Sequence, residues 1–184
     1  MTAASDDRAQ ARGRALVEVF HSLDDFGTVR PIAAEQLPQP ARTLLDHTSH
    51  MTVAMERFHG GPVGLRVVQK TGDLDGTYAR EILLLMADGR VVQHGIVRID
   101  LGRLPPDVAA AIRTESAPLG RILLDAGLLC NVHDVQLLSI VTGPWLAKLF
   151  EASPGAETFG RVALIGLAGQ PVIELLEIVA PPAA

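Results

Sequence analysis

Apolar residues recur at helical intervals along several stretches of the chain. Between Arg8 and Leu23 they are spaced three to four residues apart, which predicts an amphipathic helix that packs on a larger element. Prolines near helix starts and a glycine after a helix end predict four shorter helices, at 40–46, 105–113, 118–125 and 145–150.

Strands are predicted where apolar and polar positions alternate. Alternation at 51–55 and 63–67, on either side of a Gly-Gly-Pro break, predicts a β-hairpin, and Asp88-Gly89 predicts the turn of a second hairpin. Apolar runs predict strands at 78–86, 91–101, 128–141, 158–167 and 172–179. Strands interrupted by a few helices are typical of the α+β class. We therefore expect a single domain over residues 1–184, with an antiparallel sheet of about six strands and flanking helices.

The amino-acid composition indicates which binding partners and which cellular compartment to expect. Apolar residues make up 48% of the chain, enough for one hydrophobic core, and the net charge of −5 disfavours a nucleic-acid partner. The single cysteine, Cys130, excludes an intramolecular disulfide, and its apolar surroundings predict a buried, inert thiol. The polar N-terminal stretch and the short apolar runs predict a cytoplasmic protein without membrane contact.

Several kinds of chemistry are disfavoured by the motifs. His47 and His50, with His59 nearby, have no following glutamate of the kind that a zinc-protease helix needs, so a surface or supporting role is favoured over metal ligation. Glycine-rich phosphate loops and a nucleophilic serine elbow are missing from the sequence. We therefore expect no metal and no nucleotide cofactor.

Charged residues inside apolar strands are the remaining candidates. Alternation places Arg80 on one face of its strand and Glu81 on the other. A guanidinium on a core-facing strand needs an anion, and its planar fork suits a carboxylate. Either a ligand or a structural ion pair can supply that carboxylate.

Two glutamates of the last strand, Glu174 and Glu177, have opposite parity and cannot face the same side of a regular strand. A carboxyl group in an apolar pocket has a raised pKa and is a candidate acid or base. The alternative is a pair of solvated or ion-paired glutamates near a strand end.

Four segments together resemble the chorismate lyase family and its chorismate lyase-like relatives. They are Leu44-Leu45 with Ser49-His50-Met51-Thr52, the Arg-Glu-Ile-Leu-Leu strand at 80–84, Pro-Leu-Gly-Arg at 118–121, and the Gly-x-Pro strand at 169–177. Their order and spacing carry the resemblance, which covers roughly residues 37–182 and leaves 1–36 as an N-terminal helical extension. His50 is inserted in its motif, and one extra residue precedes Glu177, so the register of the last strand is open.

The resemblance implies an enzyme that eliminates pyruvate from chorismate to give a hydroxybenzoate, most simply 4-hydroxybenzoate, without metal or cofactor. It implies Arg80 and Glu177 as catalytic residues, with Arg80 holding a substrate carboxylate and Glu177 at the hydroxyl end of the ring. The implied binding residues are Met51, Thr52, Arg80, Leu119, Gly120 and Glu177.

A non-catalytic protein of the same fold that binds an aromatic acid is the main alternative. Effector domains of some bacterial repressors resemble this fold, but the residues before position 37 are too few for the winged helix that such repressors carry. A structural subunit with a degenerate site is disfavoured because both Arg80 and Glu177 are present. The ring position of the product hydroxyl, the pathway served and the oligomeric state are left open by the sequence.

Overall fold

A computed structural model describes residues 3–72 and 77–181 of the chain. One antiparallel sheet has the strand order β1-β5-β6-β7-β4-β3-β2. The strands are β1 (Gly27–Pro31), β2 (Gly64–Gly72), β3 (Thr77–Leu85), β4 (Val91–Asp100), β5 (Cys130–Thr142), β6 (Glu157–Leu167) and β7 (Gln170–Val179). The helices are α1 (Ala3–Val17), α2 (Leu23–Phe26), α3 (Ala41–Leu45), α4 (Met51–His59), α5 (Pro106–Arg113), α6 (Leu119–Asp125) and α7 (Pro144–Leu149).

The predicted α+β class with a single antiparallel sheet is confirmed, with seven strands where about six were expected. The additional strand is β1, which pairs with β5 at the sheet edge, with Gly27 opposite Thr142. Its five residues have one buried side chain, Val29, between a glycine and a proline. So short a strand shows too little alternation of apolar and polar residues to be predicted from the sequence.

The predicted strand at 51–55 is wrong, because these residues begin helix α4. Met51 and Met55 are buried four residues apart on one helical face, whereas Val53, which alternation would place in the core, is 39% exposed. A five-residue apolar run fits both periods, and packing against the sheet selects the helical one. Gly60 ends the helix in the left-handed region, at φ 72°.

The N-terminal helix also differs from its prediction. Helix α1 ends at Val17 rather than continuing to residue 23, and the short helix α2 follows, capped by the Ser22 side chain, which accepts from the Asp25 N–H. The other helices and strands lie within a few residues of their predicted positions. Between the predicted strands at 63–67 and 78–86, the sequence also predicts a loop at 71–76, of which residues 73–76 lie outside the described part of the chain.

The core has three parts divided by the sheet. One apolar cluster fills the back face beneath α1, α2 and α7. The front face carries two clusters, one beneath α3 and α4 and the other beneath α5 and α6. The polar side chains of interest lie on the front face, where these two clusters meet.

Cys130 and the lengths of the helices complete the description of the fold. Cys130, at the start of β5, is partly buried against the α5–α6 cluster, and burial raises the pKa of its thiol. In the described part of the chain, none of the helices has the length and apolar character needed to cross a membrane.

Candidate functional site

A cavity of about 40 Å³ lies on the front face of the sheet between α4 and α6. All six residues that the sequence predicted as ligand-binding line it: Met51, Thr52, Arg80, Leu119, Gly120 and Glu177. The strands supply an apolar floor, with Ile82 and Leu84 from β3, Val97 from β4 and Leu175 from β7. The structure thus brings together residues that are up to 126 positions apart in the sequence.

Two helices begin at the rim of this cavity. His50 precedes α4 and Pro118 precedes α6 in extended backbone, so the first N–H groups of both helices lie beside the cavity. The first N–H groups of a helix have no intrahelical acceptor, and they favour an anion or a polar oxygen. An ion pair between Glu56 of α4 and Arg121 of α6 joins the two helices.

Gly120 allows the two helices to approach closely. A Cβ atom at this position would lie 2.9 Å from Thr52 Oγ1 and 3.1 Å from His50 Cβ. Both distances are shorter than a normal contact, so any larger residue must push α6 away from α4.

We expect Gly120→Ala to lower the free energy of unfolding by about 1–3 kcal/mol, because overpacking displaces α6. Urea denaturation followed by circular dichroism measures the change. Gly64→Ala is the matched control, because its added Cβ would meet only the Leu85 carbonyl oxygen at 3.8 Å. Equal stability of the two variants would show that α6 moves aside at no cost.

Arg80 is the strongest electrostatic feature of the cavity. Its side chain is 1% exposed, yet no carboxylate of the described residues lies within ion-pair distance of it. Nη1 donates a long hydrogen bond of 3.4 Å to the Ile112 carbonyl oxygen, and Nε has no acceptor. Burial lowers the pKa of Arg80, while Tyr78 and Glu115 act in the opposite direction.

A chain of polar groups leads from Arg80 to the surface. The Tyr78 hydroxyl, which raises the pKa of Arg80, donates to Glu115 Oε1 at 2.9 Å, and Lys70 Nζ donates to the same oxygen at 2.5 Å. Burial, followed by the bond to Glu115, raises the pKa of Tyr78 to about 12. Glu115 is thus paired with Lys70, and its charge also acts on Arg80 through space, from beyond ion-pair distance.

Glu177 has a partner that the sequence analysis missed. Arg161 of β6 lies directly opposite Glu177 of β7, and its Nε donates to Glu177 Oε2 at 2.7 Å. Glu177 is 9% exposed and Arg161 is fully buried. Glu177 is therefore one half of a buried ion pair and does not stand alone in an apolar pocket. Glu174 lies on the opposite face, bonded to Arg98, as its parity predicted.

Arg161 also fixes the chain before α4. Its two terminal nitrogens donate to the carbonyl oxygens of His47, at 2.7 Å, and Ser49, at 3.1 Å. These bonds hold the residues that lead into Met51 against the sheet.

Three polar side chains line the cavity without having been predicted as ligand-binding from the sequence: Arg161, Gln93 and His50. For Arg161 the signal was present, because it interrupts an apolar strand in the same way as Arg80 does. Gln93 is a neutral polar residue and gives no such contrast. His50 was assigned a surface or supporting role, and the structure places it at the rim of the cavity.

The three histidines near this region do not form a metal site. No group of three or more His, Cys, Asp or Glu side chains within residues 3–72 and 77–181 is arranged to hold a metal ion. Burial lowers the pKa of His47 and of His50, and Arg161 lowers both further. Both rings are thus held neutral beside the guanidinium.

Comparison with known proteins places the fold. No protein-family model and no curated protein sequence matches the chain. Among solved structures, PhnF from Mycobacterium smegmatis matches with a TM-score of 0.57 and 14% identity over 73% of this chain and 64% of that one. This chain therefore spans less than two thirds of that protein.

Isolated domains match over most of their length. The effector domain of the same PhnF gives a TM-score of 0.55 at 14% identity, over 72% of this chain and 88% of the domain. The ligand-binding domain of a Bordetella bronchiseptica protein assigned to the GntR family of transcriptional regulators gives 0.50 at 12% identity, over 64% and 85%. The fold is thus of the chorismate lyase-like type found in regulator effector domains.

These matches contradict the prediction of a lyase. The reaction was inferred from four sequence segments that resemble chorismate lyases, whereas the solved structures that match this fold include those of proteins described as transcriptional regulators. Fold by itself does not carry function. The catalytic roles of Arg80 and Glu177, which the resemblance implied, presuppose that reaction, and Glu177 is paired with Arg161 rather than isolated in an apolar pocket.

Proposed function

We propose that this domain binds a small aromatic acid in the cavity between α4 and α6 without turning it over. The observation that carries the proposal is the buried Arg80 guanidinium, which lines the cavity and has no carboxylate partner among the described residues. A buried charge is costly unless it is paired, so an anionic ligand would stabilise this site.

The charge balance of the cavity favours one anionic group. Arg161 and Glu177 neutralise each other, and Glu115 is paired with Lys70. Arg80 therefore leaves about one positive charge for the ligand to neutralise. Its planar fork suits a carboxylate, and the N–H groups at the starts of α4 and α6 supply further donors.

The apolar floor favours a ring over a sugar or a peptide. Ile82, Leu84, Val97 and Leu175 offer carbon surface along the cavity floor. A flat ring buries carbon against such a floor while its acid group meets Arg80. We therefore propose Met51, Thr52, Leu119, Gly120 and Glu177, together with Arg80, as the residues that contact the ligand.

Binding requires the cavity to widen. A volume of about 40 Å³ holds a few water molecules, whereas a cavity that admits benzene measures about 150 Å³. Helix α6, with seven residues, is the short element over the cavity, and the Glu56–Arg121 ion pair and Pro118 adjoin it. We expect α6 to open for entry and to close over the ring.

Hydrogen exchange measures this closure. We expect the backbone amides of 119–125 to exchange more slowly when benzoate is bound, because the ligand adds contacts that hold α6 against the sheet. The amides of α7, on the back face, serve as the internal control. Unchanged exchange in α6 at saturating benzoate would place the ligand elsewhere.

Calorimetric titration with benzoate and its neutral analogue benzamide tests the proposed function. We expect benzoate to bind more tightly than benzamide. We expect Arg80→Met to weaken benzoate by about 30- to 5000-fold, the cost of about 2–5 kcal/mol for leaving a buried charge without its partner. Arg103→Met is the control, because Arg103 pairs with Asp100 in an exposed turn. Equal benzoate affinity in the two variants would overturn the proposal, as would release of pyruvate from added chorismate.

A further inference from the structure

Gln93 presents a buried acceptor that no described residue satisfies. It lies on β4, lines the cavity and is 2% exposed. Its Oε1 atom is fully buried and has no hydrogen-bond donor. Buried polar groups in folded proteins are nearly always paired, and an unsatisfied one costs free energy, so an orphan acceptor on a cavity wall indicates a missing donor.

A second acceptor lies beside Gln93. Glu177 uses Oε2 to accept from Arg161, and no described residue donates to its Oε1. In the register of β4 and β7, Glu177 is opposite Gly95, and Gln93 is the next residue on the same face. Such diagonal neighbours have Cα atoms about 7–8 Å apart, which side chains of this length can span.

Gly95 carries no side chain between these two acceptors. It lines the cavity floor, and Ile82 packs over it so closely that a Cβ atom there would come within 3.3 Å of Ile82 Cδ1. Any side chain at this position would therefore displace Ile82 and narrow the cavity between Gln93 and Glu177.

Both acceptors lie at a distance from the guanidinium. Arg80 is opposite Val97 in the register of β3 and β4, and Gln93 is four residues from Val97 along β4, or about 13 Å between Cα atoms. A ring whose carboxylate meets Arg80 therefore directs its far edge towards Gln93 and Glu177.

From this arrangement we infer that the cavity selects ring acids that carry two hydrogen-bond donors at the edge away from the carboxylate, with Gln93 accepting the second of them. The donors are an amine or two adjacent hydroxyl groups, since a single hydroxyl supplies only one hydrogen for two acceptors. Gln93 is thus a specificity-determining residue. The inference rests on the proposed function and narrows its ligand class.

The test compares three ring acids by calorimetric titration: benzoate, 4-hydroxybenzoate and 3,4-dihydroxybenzoate. For the wild-type protein we expect the dihydroxy acid to bind about 5- to 30-fold more tightly than the monohydroxy acid, the effect of satisfying one buried acceptor. In Gln93→Met we expect this ratio to fall to within about twofold, because the variant keeps the length of the side chain and removes only its amide.

Leu84→Met is the matched control, because Leu84 lies opposite Gln93 on β3 and lines the same end of the cavity. Because Leu84 also lines the cavity floor, we expect Leu84→Met to change the affinity for all three acids by a similar factor, and so to keep the wild-type ratio of dihydroxy to monohydroxy affinity. Circular dichroism and urea denaturation check that both variants fold, and Gln93→Leu repeats the test if the methionine variant does not.

Different results would contradict the acid-binding function and the role of Gln93. If the wild-type protein binds none of the three acids, the proposed function is wrong. If it binds them but the dihydroxy preference is absent, or persists in Gln93→Met, the role of Gln93 is wrong and the acid-binding function stands. Equal losses of the dihydroxy preference in Gln93→Met and Leu84→Met would also overturn the role of Gln93, because they would reflect packing rather than a hydrogen bond.

Discussion

Arg161→Leu is expected to lower the free energy of unfolding by about 3–5 kcal/mol, the usual cost of removing one partner of a buried ion pair. The variant leaves the Glu177 carboxylate buried without its cation. It also removes the bonds to the His47 and Ser49 carbonyl oxygens that hold the chain before α4. Urea denaturation measures the loss.

A second ion pair on the same strand supplies the control. Arg98 and Glu174 join β4 to β7 on a face where both side chains are more than one third exposed. We expect Arg98→Leu to change stability by at most about 1 kcal/mol, because exposed ion pairs contribute little. The double variant Arg161→Leu/Glu177→Leu should recover part of the loss, since it leaves no buried charge unpaired. Equal effects of the Arg161 and Arg98 variants would show that burial does not set the energy of these pairs.

The position of Arg80 could be predicted from the sequence because it depends on strand period alone. Arg80 and Glu81 are adjacent on an apolar strand, so alternation requires them to face opposite sides, and the structure places them so. The opposite faces of Glu174 and Glu177 follow from the same rule.

The partner of Glu177 could not be predicted in this way. Its pairing with Arg161 depends on the register between β6 and β7, and register is set by packing over the whole sheet. The helix at 51–59 could not be predicted for a related reason. Its apolar residues fit a strand locally, and only the contacts of Met51 and Met55 with the sheet select the helix.

The sequence predicted the face on which Glu81 lies, opposite Arg80, but it did not predict the partners of this carboxylate. Glu81 is fully buried and accepts from His94 Nε2 at 2.7 Å, His21 Nε2 at 2.9 Å and Gln69 Nε2 at 2.9 Å. These donors come from β4, β2 and the segment between α1 and α2. Trp145 of α7 packs on the His21 ring, with centroids 3.8 Å apart, and closes the cluster.

Glu81→Leu is expected to lower the free energy of unfolding by about 3–5 kcal/mol, because it removes the acceptor of the buried His94 ring and of the partly buried His21 and Gln69 side chains in one step. His21 would lose its bond to the sheet, so the N-terminal segment should loosen first. Urea denaturation measures the global loss, and hydrogen exchange at 3–17 measures the local one. Glu157→Leu is the control, because Glu157 is exposed and accepts only from Ser139. Similar stability of the two variants would mean that the cluster contributes nothing.

The pH dependence of stability provides an independent measurement on the same cluster. Burial lowers the pKa of His94 below 6.5, so the unfolded chain takes up this proton before the folded chain does. Burial raises the pKa of Glu81, but the bonds from His94, Gln69 and His21 outweigh burial and hold it below 4.5. The free energy of unfolding therefore decreases as pH falls, because of His94 below pH 6.5 and because of Glu81 below pH 4.5.

We expect the unfolding free energy of the wild-type protein to decrease from about pH 7 to about pH 5, and to decrease less steeply in His94→Leu. Identical slopes in the two proteins would show that His94 is not held neutral by its burial.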